Sequence, residues 1–164
     1  MKSSVQEIDL QVHNKIPISA MWLGGLGALP FIVLSSLSVF MEPLLVKQTN
    51  FALVVYGAVI LSFLGGIHWG LAIATPELSP HNIKIFLRLL ISIFPCLIGW
   101  LALLLTIPTG LLIVAIAFFA MLLYDWYASH KGLTPKWYLK LRVPLTLIAG
   151  TSLTLVAITL FFQS

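Results

Sequence analysis

Residues 51–74 read FALVVYGAVILSFLGGIHWGLAIA, a run without Lys, Arg, Asp or Glu between Asn50 and Thr75. An α-helix rises about 1.5 Å per residue, so about 20 apolar residues cross the roughly 30 Å of hydrocarbon in a bilayer. The same template fits four more times, at 18–41, 85–106, 110–128 and 143–162, each stretch ending at Pro, Asn, Ser, Gly or charge. The composition agrees: 164 residues, 60% hydrophobic and 9% charged, with a mean hydropathy of +1.06, against about 25% charged residues in a soluble domain. The expected fold is an all-α membrane protein, one five-helix transmembrane domain over 18–162 behind a cytoplasmic segment 1–17. So little charge excludes a disordered chain or a basic nucleic-acid binder. Cys96, the single cysteine, excludes a disulfide-stapled secreted domain.

The net charge of +4 is read as a topology signal. With five spans, Lys2, Lys15, Lys84, Arg88, Lys131, Lys136, Lys140 and Arg142 fall on one side, and Lys47 alone on the other. That asymmetry predicts a cytoplasmic N-terminus and a periplasmic C-terminus. The first span follows Glu7 and Asp9, is longer than a signal-peptide core and has no small-x-small site before its end, so it is expected to stay in the mature protein. The two acids beside Lys2 and Lys15 are also unlike an Arg-rich mitochondrial leader, which makes a bacterial inner membrane the expected location. Trp22, Trp69, Trp126 and Trp137 fall near the inner interface, as anchors or as walls of a site, with Trp100 deeper.

Spans two and three can be laid on spans four and five. His68-Trp69, a loop with Pro80 and Leu87-Arg88 match Asp125-Trp126, a loop with Pro135 and Leu141-Arg142. Both hairpins enter and return in the same sense, which makes the arrangement one helix plus two parallel helical hairpin repeats about an axis normal to the membrane. Interface anchoring alone produces a similar order of features.

In the second span Ala58, Ser62, Gly66 and Gly70 recur every four residues, a small-residue stripe expected to pack closely on another helix. His68 lies about 200° round the helix from Gly66 and about 9 Å inside the helix end. At that depth it is either a functional residue facing the protein interior or a neutral imidazole bonded to a neighbouring helix. Asp125 ends a run in which the only other ionisable group is Tyr124, and a carboxylate there needs a partner. Arg88 and Arg142 begin the third and fifth spans at similar depth. An Asp-Arg pair fastening helices is the structural reading. The functional one has His68, Arg88, Asp125 and Arg142 converge on a cytoplasm-facing pocket walled by Trp69, Tyr124, Trp126 and Tyr127. Two guanidiniums there suit an anionic lipid head group or a small organic anion, and a His beside an Asp can pass protons.

Pro30 and Pro95 stand inside spans, where kinks are expected. His13, His81 and His130 do not reach metal-ligand spacing with Cys, Asp or Glu. No Gly-x-Ser-x-Gly, His-Glu-x-x-His, phosphate loop or dinucleotide glycine pattern is present, so no metal, cofactor or catalytic residue is expected.

The stretch from Tyr56 to Gly70, with its Gly66-Ile67-His68-Trp69-Gly70 element, together with Trp137-Tyr138-Leu139-Lys140-Leu141-Arg142-Val143-Pro144-Leu145-Thr146, resembles the transmembrane protein 69 family, whose bacterial members are small inner-membrane proteins carrying a domain of unknown function. The resemblance runs from the first span onward. It implies a polytopic helical membrane protein and no particular activity. The expected function is therefore a non-enzymatic, membrane-embedded binding or accessory protein, packed with itself or another membrane protein in the bilayer. A small proton-linked carrier using His68 and Asp125 is the alternative, and a membrane enzyme acting on lipid comes third.

Overall fold

A computed structural model describes residues 15–40, 43–74 and 83–163. Lys2, Glu7, Asp9, His13, Met41, Glu42, Pro80 and His81 lie outside the described residues. Five helices follow in order: α1 (Ile18–Phe40), α2 (Pro43–Ile73), α3 (Ile83–Ala102), α4 (Ile107–His130) and α5 (Tyr138–Gln163). Each contains a stretch long and apolar enough to cross a membrane. The outer surface carries large apolar side chains such as Ile18, Trp22, Phe40 and Phe162, an exterior suited to lipid and not to water. This is an all-α membrane protein with five transmembrane helices.

Several helix ends differ from the sequence reading. α2 begins at Pro43 instead of 51, because Lys47-Gln48-Thr49-Asn50 reads as a loop yet continues the helix. Proline at the first helical position lacks only an N–H that would have no partner there, and Thr49 Oγ1 donates back to the Leu45 carbonyl at 3.0 Å. Asn50 is buried inside the bundle. At its other end α3 stops at Ala102, not 106. There the N–H groups of Leu103 and Leu104 reach back three residues to Trp100 and Leu101, the tighter turn that closes many helices. α4 and α5 reach further on the side of Lys131 than expected, to His130 and from Tyr138. α1 and α3 each run through their proline, Pro30 and Pro95, as one helix.

The α4–α5 turn shows why two distant residues meet. Gly132 adopts φ +70°, the Leu133 N–H donates to Ala128 O at 2.9 Å and the Gly132 N–H to Ser129 O at 3.0 Å. These are the two bonds of a Schellman cap, which wants glycine at the left-handed position. The chain turns sharply there, and α5 descends beside α4 with Arg142 opposite Asp125.

α2 and α3 form the second hairpin. Ala58 lies against Gly99, and a Cβ built on Gly65 would collide with the Ser92 carbonyl, so small residues seven apart on α2 meet partners seven apart on α3, in antiparallel register. The stripe expected on α2 is therefore only half correct. Ala58 packs, and Ser62 donates to the Ala58 carbonyl at 2.8 Å. Gly66 and Gly70 meet nothing within 4 Å of an added Cβ. The close approach follows Gly65 instead, because the packed face repeats every three to four residues and drifts off a strict four-residue stripe.

α1 packs across α2 and α5, and the core runs between all four longer helices through Phe31, Leu53, Leu61, Leu111, Phe118 and Leu153. Phe31 meets the rings of Tyr56 at 5.0 Å and Phe118 at 5.6 Å, both edge-on. Tyr56 also donates its hydroxyl to the Gly27 carbonyl at 2.8 Å, which fixes α1 on α2. Gly65→Ala is expected to destabilise the bundle by about 1–3 kcal/mol through overpacking, whereas Gly66→Ala should leave it unchanged or slightly firmer. Thermal unfolding of both variants in one detergent checks this, and equal losses would contradict the register.

Candidate functional site

Three of the four expected polar residues converge. Asp125 of α4 has no exposed surface, and its two carboxylate oxygens face two different helices. Arg142 of α5 donates Nε–H to Oδ2 at 2.7 Å, while His68 of α2 places Nε2 2.7 Å from Oδ1. His68 and Arg142 are buried as well. With Asp125 as carboxylate, acceptor-only, the imidazole donates from Nε2.

Local sequence dictates the convergence. On α2 the buried residues Leu61, Leu64, Gly65, His68 and Ala72 keep helical spacing, so His68 stands on the face that meets α4 and Gly66 stands off it. On α4 Met121, Asp125 and Ala128 form the corresponding buried row. On α5 Tyr138, Arg142 and Thr146, spaced by four, are all buried. Tyr138 lies beside both Asp125 and Arg142. Its hydroxyl is close enough to interact with both, while Arg142 Nη2 and Thr146 Oγ1 are buried without a hydrogen-bond partner among the described residues. Tyr138 and Thr146 were missed as site residues, although the four-residue spacing around Arg142 was the signal that could have found them.

Arg88 stands apart. It is half-buried on α3, within electrostatic reach of Tyr124, and makes no ion pair with the cluster. α3 packs on α2 and α4 but not on α5, the helix that carries Arg142. Tyr124 is a wall of the cluster in the literal sense: its ring meets His68 edge-on at 4.7 Å and stacks on Tyr127 at 6.3 Å. Trp69 and Trp126 are exposed at 42% and 56% and turn outward, Trp126 against the His130 ring at 4.6 Å. Among the described residues, no three of His, Cys, Asp and Glu come together as metal ligands do.

The protein family described as "Protein of unknown function (DUF3429)" matches residues 16–158, which takes in the whole cluster and nearly all of the five helices. The chain belongs to this family. It is also similar to two proteins named transmembrane protein 69. The one from Xenopus tropicalis is 37% identical over 154 residues, covering 88% of this chain and 56% of that protein. The one from Mus musculus is 31% identical over 141 residues, covering 83% of this chain and 54% of that protein. The chain thus spans about half the length of the curated relatives it matches. No solved structure matches it.

In this chain the matched segment holds a buried arrangement of one carboxylate, one guanidinium and one imidazole across three helices. Removing one member of a buried ion pair leaves a charge without compensation, typically costing about 3–5 kcal/mol, whereas replacing both by apolar groups is often neutral. Asp125→Ala is expected to lose stability on that scale. A variant carrying Asp125→Leu and Arg142→Met should be the more stable of the two, as read by detergent-solubilised unfolding. If Asp125→Ala unfolds like wild type, the carboxylate is not the tie between these helices.

Proposed function

We propose that this chain is a non-enzymatic binding or accessory protein of a bacterial inner membrane, and that His68, Asp125 and Arg142 form the inner wall of its binding site. The observation that carries the reading is the donor left over at a buried ion pair, Arg142 Nη2. Buried polar groups in a membrane bundle are costly to leave unsatisfied, and their usual reason is a bound molecule or a functional pathway. Lys15 before α1, Lys84 and Arg88 in the first turns of α3, and Lys131, Lys136 and Lys140 around the α4–α5 turn support a cytoplasmic position for that end of the bundle, with the cluster near it. The C-terminus is then periplasmic. Arg88, within electrostatic reach of Tyr124, adds a basic group that a head group or small anion would meet at that end. A second copy or another membrane protein is the expected neighbour in the bilayer.

The contact between His68 and Asp125 favours a second reading, a small proton-linked carrier of an organic anion or similar solute. An imidazole paired with a carboxylate is an arrangement that can pass protons. Uptake that is independent of pH, or unaltered by His68→Gln, would remove that alternative.

Native mass spectrometry of protein extracted gently from its own membrane tests the leading reading. Wild type is expected to carry a small molecule or lipid that Arg142→Ala loses. A wild-type chain that arrives bare, or carries only another protein, would leave the three side chains as helix fasteners. Reporter fusions at both termini check the orientation, with activity expected only for the periplasmic reporter at the C-terminus.

A further inference from the structure

Arg88 is half-buried on α3 and makes no ion pair among the described residues. It stands five residues past Ile83, the first residue of α3, about 7.5 Å inside the helix end. Tyr124 stands six residues before His130, the last residue of α4, at a similar depth of about 9 Å. From there the contacts continue outward. Arg88 is within electrostatic reach of Tyr124, Tyr124 stacks on Tyr127 at 6.3 Å, and Lys131 Nζ lies 5.8 Å from the centre of the Tyr127 ring. Tyr127 and Lys131 are exposed. Two cations and two phenol rings thus form one continuous rim across α3 and α4. Long basic side chains near a helix end lay their stems along apolar surface and hold their charge at the membrane interface, the level at which tyrosine also settles.

The rim lacks an anion. Asp125 is the only carboxylate side chain among the described residues, and its two oxygens are taken by His68 and Arg142. A guanidinium fork matches a phosphate through two parallel hydrogen bonds, and a phosphodiester is the anion that a bilayer presents at its interface. Phosphatidylethanolamine would bring an ammonium with its phosphate, for which the rim offers no carboxylate. Phosphatidylglycerol brings the phosphate and two hydroxyls. Along α4 the exposed residues Tyr127, Leu123 and Ile116 keep helical spacing, so an apolar track leads from the rim into the hydrocarbon. We propose that Arg88, Tyr124, Tyr127 and Lys131 form a site for one anionic phospholipid, with the phosphate on Arg88 and an acyl chain along Leu123. The site shares the Tyr124 ring with the His68–Asp125–Arg142 cluster but uses none of those three residues, so it stands or falls separately from the binding reading above.

Purified full-length protein in one detergent is titrated with phosphatidylglycerol and phosphatidylethanolamine of identical chains, and bound lipid is counted by native mass spectrometry. Phosphatidylglycerol is expected to bind saturably at one site per chain, about tenfold more tightly than phosphatidylethanolamine, and Arg88→Gln should bring the two within about twofold. Tyr124→Phe should weaken phosphatidylglycerol about three- to fivefold through one lost hydrogen bond. Lys136→Gln removes an equal charge from the α4–α5 turn, outside the rim, and should change the preference by less than about twofold. This variant separates a built site from the diffuse positive charge of that end of the bundle. Excess sn-glycerol 3-phosphate, the soluble form of the same head group, should leave the lipid in place.

Four results would overturn the proposal: no saturable binding of phosphatidylglycerol, equal affinity for the two lipids, as large a loss in Lys136→Gln as in Arg88→Gln, or displacement by glycerol phosphate. The endogenous molecule tested through Arg142 is read in the same spectra. Its retention in Arg88→Gln, with phosphatidylglycerol lost, supports two separate sites. Its loss together with phosphatidylglycerol in that variant would mean one shared site and overturn the separate lipid site, leaving the broader binding reading in place.

Discussion

Asp125 is a carboxylate with no exposed surface on a helix whose other buried residues are apolar or small, and each of its oxygens is held by a different helix. In lipid there is little hydrophobic force to hold one helix against another, so packing and polar contacts must decide which faces meet. Here one side chain ties α2 and α5 to α4. The Schellman cap at Gly132 sets the length and direction of the α4–α5 turn, and the Gly65 approach to Ser92 sets the register of the other hairpin. Both serve to bring His68 and Arg142 to the same level as Asp125. α1 is added from outside, held by Tyr56 on Gly27 and by the Phe31 ring between Tyr56 and Phe118.

Much of this was legible from residues alone. Five apolar runs gave five helices because backbone satisfaction in a bilayer leaves few other solutions, and His68, Asp125 and Arg142 stood out because ionisable groups are rare in such runs. The sequence could not say which helix faces touch. Arg88 and Arg142 look equivalent by position, yet only Arg142 lies on a helix beside the right face of α4. Gly65 and Gly66 are adjacent glycines, and the difference between a forced contact and open space is about 100° of helical rotation. Asn50 and Thr49 look like loop residues because polar side chains usually mark a helix end, yet here a back-bonded hydroxyl and a buried amide continue the helix.

The two hairpins deserve comparison as structures. His68 of the α2–α3 hairpin and Asp125 of the α4–α5 hairpin are in contact. The two sides of that contact differ: Asp125 also holds Arg142, while His68 has the Tyr124 ring edge-on against it. α1 packs on α2 and α5 and not on α3, so it covers the bundle on one side only.

The balance of charge inside the cluster has an electrical consequence. A carboxylate and a guanidinium in contact form a dipole with no net charge, so the membrane potential exerts almost no force on them as a unit.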